Sequence, residues 1–295
     1  MVEVIKGGKT YPFSKGILAR SISSLGITVE EAYEIVENII ETIESEDIEE
    51  IPSLKIKEMV SKELKYLDRN VEERYYRVRR KIKYLDQPLF IMIGGGPGVG
   101  KSSLSAEIGH RLGINRVIGT DTIREIMRSI ISPELIPTLH ESTFMACDKL
   151  RTPFVSNKLI YAFEQQVSLV SEGLVAVMNR GRKEGLNMVL NGVHIVPGFI
   201  QTDRKSSAHT YQYVLDVPDI EQHIQHFHSR EEGSLRDPSR YIDRMDRIRE
   251  IQDYVVSMAL KGGIPVIENV DFEKTLKIIL DDVITGLEED IEDES

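Results

Sequence analysis

The chain has 295 residues, of which 41% are hydrophobic and 29% charged, and its formal net charge is −11. That balance argues against general binding to nucleic acid or to an anionic membrane. A single cysteine excludes an internal disulfide and suits a reducing compartment, and no apolar run approaches the ~18 residues of a membrane span.

The N-terminal "MVEVIKGGKTYPF" lacks a signal-peptide core, so a cytoplasmic protein is expected. Within it, Gly7-Gly8 separates two short alternating runs and predicts a hairpin. "ITVEEAYEIVENIIETI" reads as a helix opened by a capping box, Thr28 with Glu31. After an acidic loop, a helix is expected from about Ser53. That helix, or its successor, carries Leu64, Leu67, Val71, Tyr75, Val78, Ile82 and Leu85 as an apolar stripe, with a basic opposite face read as solvated surface. Asp86-Gln87-Pro88 ends it and marks a domain boundary.

Beyond Pro88 the pattern becomes β-α-β. "LFIMI", "RVIGT", "NMVLNGVHI", "TYQYVLDV" and "IPVIENV" read as five strands, and their apolar character predicts a parallel sheet covered on both faces. Helices are expected at "SSLSAEIGHRLG" and "DTIREIMRSI", then over a long stretch from about Thr138 to Glu184 broken at Pro153 and near Gly173. The last residues, "LEEDIEDES", read as a frayed acidic tail, and Cys147 as a small buried apolar residue.

The stretch "GGGPGVGKSS" follows the first of these strands and opens a helix. Gly95, Gly100, Lys101 and Ser102 satisfy G-x-x-x-x-G-K-[ST], so Gly95, Gly96, Pro97, Gly98, Val99, Gly100, Lys101, Ser102 and Ser103 are expected to cradle ATP phosphates. Backbone N–H groups and the helix N-terminus supply the positive field. Lys101 reaches the terminal phosphates and the Ser102 hydroxyl ligates Mg²⁺.

Asp121 stands at the end of the second strand, placed to orient or deprotonate an attacking hydroxyl; the alternative is that Thr120 or Asp121 only caps the next helix. Arg124 and Arg128, at i and i+4 on that helix, suit an anionic substrate. Six arginines between Arg230 and Arg249 suggest a lid in which Arg230 and Arg236 meet the transferring phosphoryl group, the later ones pairing with neighbouring acids. Asn191 occupies the third strand end, where many such enzymes carry an acid, and this shifts weight to Asp121. His194 beyond it is a candidate substrate contact. The histidines show no metal-ligand spacing.

From Pro88 to about Leu287, "IGGGPGVGKSSLSAEI", "GTDTIREIMR", "NGVHIVPG", "HFHSR" and "RIREIQDY" resemble the archaeal 2-phosphoglycerate kinase family. The resemblance implies an ATP-dependent transfer to the 3-hydroxyl of 2-phosphoglycerate, giving 2,3-bisphosphoglycerate for cyclic 2,3-diphosphoglycerate synthesis. The segment "VEVIKGGKTYPFSKGILARSISSLGI" resembles an ATP-cone, a nucleotide-sensing module. The expected organisation is therefore an ATP-cone-like α+β domain over 1–86, a doubly wound parallel-sheet P-loop kinase domain over 87–287, and the tail 288–295. The N-terminal domain, through its long amphipathic helix, offers a route to a homo-oligomer. Two other readings stay open: a kinase for another anionic or sugar-acid acceptor, and an ATP-binding switch that acts on a partner protein.

Overall fold

In the computed structural model the described residues are 2–150, 155–200, 208–229 and 239–293. Arg230, Arg236 and the expected break at Pro153 lie outside them. The chain divides into two compact units: Met1–Tyr84 with His110–Gly113 and Leu287–Ser295, and Leu85–Gly109 with Ile114–Gly286.

In the first unit, strands β1 (Glu3–Lys6) and β2 (Lys9–Pro12) form the expected antiparallel hairpin, and β3 (Glu50–Pro52) adds parallel to β1. Helix α1 spans Lys15–Ser23 and α2 spans Val29–Ser45. The α2 start has the predicted capping box: the Thr28 hydroxyl accepts from the Glu31 N–H at 3.2 Å and the Glu31 carboxylate from the Thr28 N–H at 3.4 Å. The expected stripe is split between α3 (Ser53–Tyr66) and α4 (Asn70–Lys81), because Asp68 turns left-handed at φ 57°. Leu64, Tyr75, Val78 and Ile82 are buried, whereas Leu67 and Val71 face outward. The basic face is not all solvated either. Arg79 is half-buried, donating to the Ser21 carbonyl and the Ser24 hydroxyl, and desolvation lowers its pKa.

The second unit is built on a five-stranded, all-parallel sheet. Its strands are β4 (Leu89–Gly95), β5 (Val117–Gly119), β6 (Met188–Asn191), β7 (His209–Asp216) and β8 (Val266–Glu268), in the order β5-β6-β4-β7-β8. Every residue of β4 is buried; since side chains alternate across a strand, both faces are covered. Between the strands lie α5 (Lys101–Leu112), α6 (Thr120–Ile130), α7 (Lys158–Glu184), α8 (Ile220–His228), α9 (Ser239–Ile242) and α10 (Met245–Gly262). Phe90 and Met92 of β4 share an apolar cluster with Ile123 of α6 and Val170, Leu174 and Met178 of α7.

Three expectations about helix extent are corrected here. Helix α7 runs unbroken through Gly173: a Cβ there would come within 2.6 Å of Ile123 Cγ2, so the glycine serves close approach of α6 rather than a break. The stretch before it holds 3₁₀ turns at Pro137–His140 and Ala146–Lys149 instead of a long helix. The acidic stretch is helical as far as Asp293, the end of α11 (Phe272–Asp293), and its last two residues lie outside the described ones. Within the first unit, Arg74 and Arg77 both pair with Glu288, at 2.6 and 2.7 Å, which anchors that end. No helix among the described residues is long and apolar enough to cross a membrane.

Candidate active site

Parallel pairing carries three chain segments to one edge of the sheet. Asn191 of β6 is in register with Gly119 of β5 and Ile93 of β4, so the strand ends align where the 95–100 loop and α6 begin. This carboxyl edge is where open α/β sheets bind ligands.

The loop itself has the shape that its composition predicted. Gly95, Gly98 and Gly100 have φ of 133°, 88° and 86°, which favours glycine at each. At Gly98 space adds a second reason, because a Cβ would meet Phe227 Cζ at 2.4 Å. Side chains from distant elements hold the loop carbonyls. His223 Nε2–H donates to Pro97 O at 2.7 Å, His226 Nδ1–H to Gly98 O at 3.2 Å, and Asn269 Nδ2 to Val99 O at 2.9 Å. Fixing those carbonyls outward leaves the loop N–H groups to face an anion. Lys101 is buried at the start of α5, and its Nζ donates to Gly96 O at 2.5 Å.

His223 stacks on Phe227 with ring centroids 5.4 Å apart, and burial holds its pKa down at about 4 despite the Pro97 contact. Its folded pKa is thus below its unfolded one, so the unfolded chain binds more protons between pH ~6.5 and about 4. Stability contributed by this group is present above that window and lost as pH falls through it, by about 3 kcal/mol. Urea unfolding at pH 7 and pH 4.5 should therefore show a steeper loss for the wild type than for His223→Gln, which keeps a donor near Pro97. Equal pH dependence of the two would refute the assignment.

A cavity of about 350 Å³ opens at the sheet edge, and Lys101, Ser102, Thr120, Asp121, Arg124 and Asn191 are among its lining residues. Asp121 is 64% exposed and lies 3.8 Å from Arg124. Neither Thr120 nor Asp121 caps α6. The N-cap is Gly119 with no side-chain hydrogen bond, and the Thr120 hydroxyl instead meets His194 Nδ1 at 2.9 Å. His194, expected as a substrate contact, is not among the residues lining the cavity; it is fully buried behind Thr120. Burial and the nearby Arg124 and Lys101 charges keep its imidazole neutral, with a pKa of about 3.

The Ser102 hydroxyl donates to Asn191 Oδ1 at 3.4 Å. Ser102, Asn191 and Asp121 offer only hard oxygen donors, and no cluster of three or more His, Cys, Asp or Glu suited to a metal exists among the described residues. That set fits Mg²⁺, which keeps much of its coordination from phosphates and water.

Arg124 and Arg128 both line a second chamber, and Arg124 lines the first cavity as well. Arg124 donates to Glu141 O at 2.6 Å, while Arg128 bonds Glu125 at 2.8 Å. Of the later arginines, Arg247 pairs at 3.0 Å with Asp148, an acid 99 positions away rather than one interleaved with it, and Arg249 donates to the carbonyls of Val217 and Pro218. Arg240 lines the second chamber and so is not merely surface pairing. Cys147 is partly buried against the cluster that holds α7 and α10, and burial raises its thiol pKa. The loop-bracing role of His223 and His226 was missed. The crowding in "HIQHFH" was the available signal, legible only once the helix lies over the loop.

Comparison with known proteins agrees with this architecture. Residues 1–87 match the ATP cone domain model. A 2-phosphoglycerate kinase of Thermococcus kodakarensis is 42% identical over 278 residues, covering 94% of this chain and 94% of its own. Those of Pyrococcus furiosus and Methanothermobacter thermautotrophicus are 40% and 39% identical, covering 96% and 95% of this chain and 94% and 93% of theirs. With likeness of this extent running through both units, the chain belongs to the 2-phosphoglycerate kinase family.

Proposed function

We propose that this chain transfers the γ-phosphoryl group of ATP to the 3-hydroxyl of 2-phosphoglycerate, producing 2,3-bisphosphoglycerate and ADP. The observation that carries this reading is near-full-length identity to proteins of that name, in a chain whose phosphate loop and Asp121 face one cavity. The loop N–H groups and Lys101 hold the terminal phosphates and offset charge that builds on them during transfer. Ser102 would hold Mg²⁺, with Asn191 and Asp121 beside it, and the metal when bound neutralises phosphate charge. Asp121 orients the attacking hydroxyl and takes its proton as the new O–P bond forms and the bond to ADP breaks. Arg124, between Asp121 and the second chamber, steadies the acceptor. Arg230 and Arg236, outside the described residues, are assigned by this reading to offset charge on the phosphoryl group during transfer.

The test is a panel of phosphorylated and unphosphorylated hydroxy acids with ATP and Mg²⁺, with products read by phosphorus NMR. 2-Phosphoglycerate should strongly stimulate ATP turnover and give a species with two phosphate esters. Turnover indifferent to every acceptor would instead favour an ATP-dependent switch.

A further inference from the structure

A second chamber, of about 320 Å³, adjoins the first and shares Arg124, Ser142, Phe144 and Tyr241 with it. No residue of the phosphate loop lines it. Its chemistry is cationic: Arg124, Arg128, Arg240 and His140 meet there, with Glu125 and Glu141 as the acids. Each acid has a cation partner, which for Glu125 is the chamber's own Arg128. Glu125 bonds Arg128 at 2.8 Å, and Glu141 pairs with Lys149, outside the chamber wall, at 3.4 Å. Arg240 reaches the Ser142 hydroxyl at 3.4 Å, its one hydrogen bond among the described residues. The Nε of Arg128 is buried and has no partner among them. His140 donates Nε2–H to Ile131 O at 2.8 Å, which fixes its ring and leaves Nδ1 uncommitted.

We infer that this chamber is the subsite for the phosphate that the acceptor already carries, with Arg128 and Arg240 as its specificity-determining residues. The inference rests on the proposed kinase reading and deepens it. Helix α6 sets the geometry. Asp121, Arg124 and Arg128 follow one another at steps of three and four, so they share a face, and seven residues advance about 10 Å. The proton acceptor stands at one end of that face, beside the phosphate loop, and the guanidiniums stand further along. A small acid with its hydroxyl and its phosphate on adjacent carbons spans from one to the other. Two or three guanidiniums around one pocket suit a dianionic phosphate better than a lone carboxylate, because each offers a planar fork of donors. The chamber therefore selects a phosphorylated acceptor and leaves glycerate itself without its main anchor.

Steady-state kinetics and calorimetry on the full-length chain test this. Arg240→Gln and Arg128→Gln should each raise KM for 2-phosphoglycerate by ~30-fold or more, with kcat and KM for ATP changed only a few-fold. Inorganic phosphate should compete with 2-phosphoglycerate in the wild type, not with ATP, and that inhibition should fade in both variants. An unchanged KM for 2-phosphoglycerate in both variants overturns the inference. So does a rise confined to KM for ATP, or wild-type use of D-glycerate as efficiently as of 2-phosphoglycerate. If the wild type does not turn over 2-phosphoglycerate at all, the kinase reading fails. Calorimetric binding of inorganic phosphate to the wild type and Arg240→Gln then judges the chamber separately: weaker binding in the variant upholds an anion subsite, and equal binding removes it.

Discussion

Replacing Lys101 with Met should lower turnover by at least ~100-fold with little change in folding. The substitution keeps the apolar stem in its buried slot and deletes only the ammonium group. That group stands at the first residue of α5, and its contact with Gly96 O holds it over the loop, where negative charge would build during transfer. A contact that strengthens in the transition state is worth on the order of 3 kcal/mol, which converts to a factor of somewhat more than 100 in rate. Stability should move little, because the bond to Gly96 O joins the side chain to its own loop, while Asn269, His223 and His226 hold that loop from elsewhere. Single-turnover rates and thermal unfolding of the two proteins decide it. Near-normal turnover in a folded Lys101→Met protein would contradict the phosphate-cradle role.

The second large effect is expected at Asp121. Asp121→Asn preserves shape and hydrogen-bonding reach but removes the charge and the capacity to take a proton. If this carboxylate handles the acceptor hydroxyl, turnover should fall ~100-fold or more. The structure makes the companion expectation sharper than a capping role would. With Gly119 at the N-cap and Asp121 largely exposed, the substitution forfeits only the interaction of its charge with the helix N-terminus and with Arg124 3.8 Å away. Such effects at an exposed first turn are worth less than about 1 kcal/mol. Rate and melting temperature measured on one preparation separate the outcomes. A clear loss of stability with intact turnover would make Asp121 a structural residue.

What could be read from the chain alone depended on how local the determining contacts are. The loop was legible because Gly95 through Ser102 is contiguous and its function resides in the backbone. The α2 start was legible because a capping box closes over three residues. Gly173 misled for the opposite reason. Its helix breaker's reputation is a statement about propensity, and the packing of α6 against α7 overrides it. The turn at Asp68 left no glycine or proline to announce it. β3 is only three residues long, too short for a period to show. The second chamber was illegible in principle: Arg240 and Ser142, which meet across it, are 98 residues apart, so no spacing could report them. Arg128 was singled out from the sequence together with Arg124 for an anionic substrate, and both line this chamber.

The braces on the phosphate loop bear on how partial sequences should be judged. Pro97, Gly98 and Val99 are held from His223, His226 and Asn269, which lie 126, 128 and 170 positions downstream. A fragment ending after β6 would display the complete G-x-x-x-x-G-K-S string and yet contain none of those three side chains. Its glycines, free of their supports, would sample many shapes, and the entropy of choosing one would be charged against each nucleotide captured. In this fold the signature is thus a property of the letters, whereas affinity belongs to the finished unit. Gene fragments that carry the motif should accordingly be expected to bind ATP far more weakly than their sequence advertises.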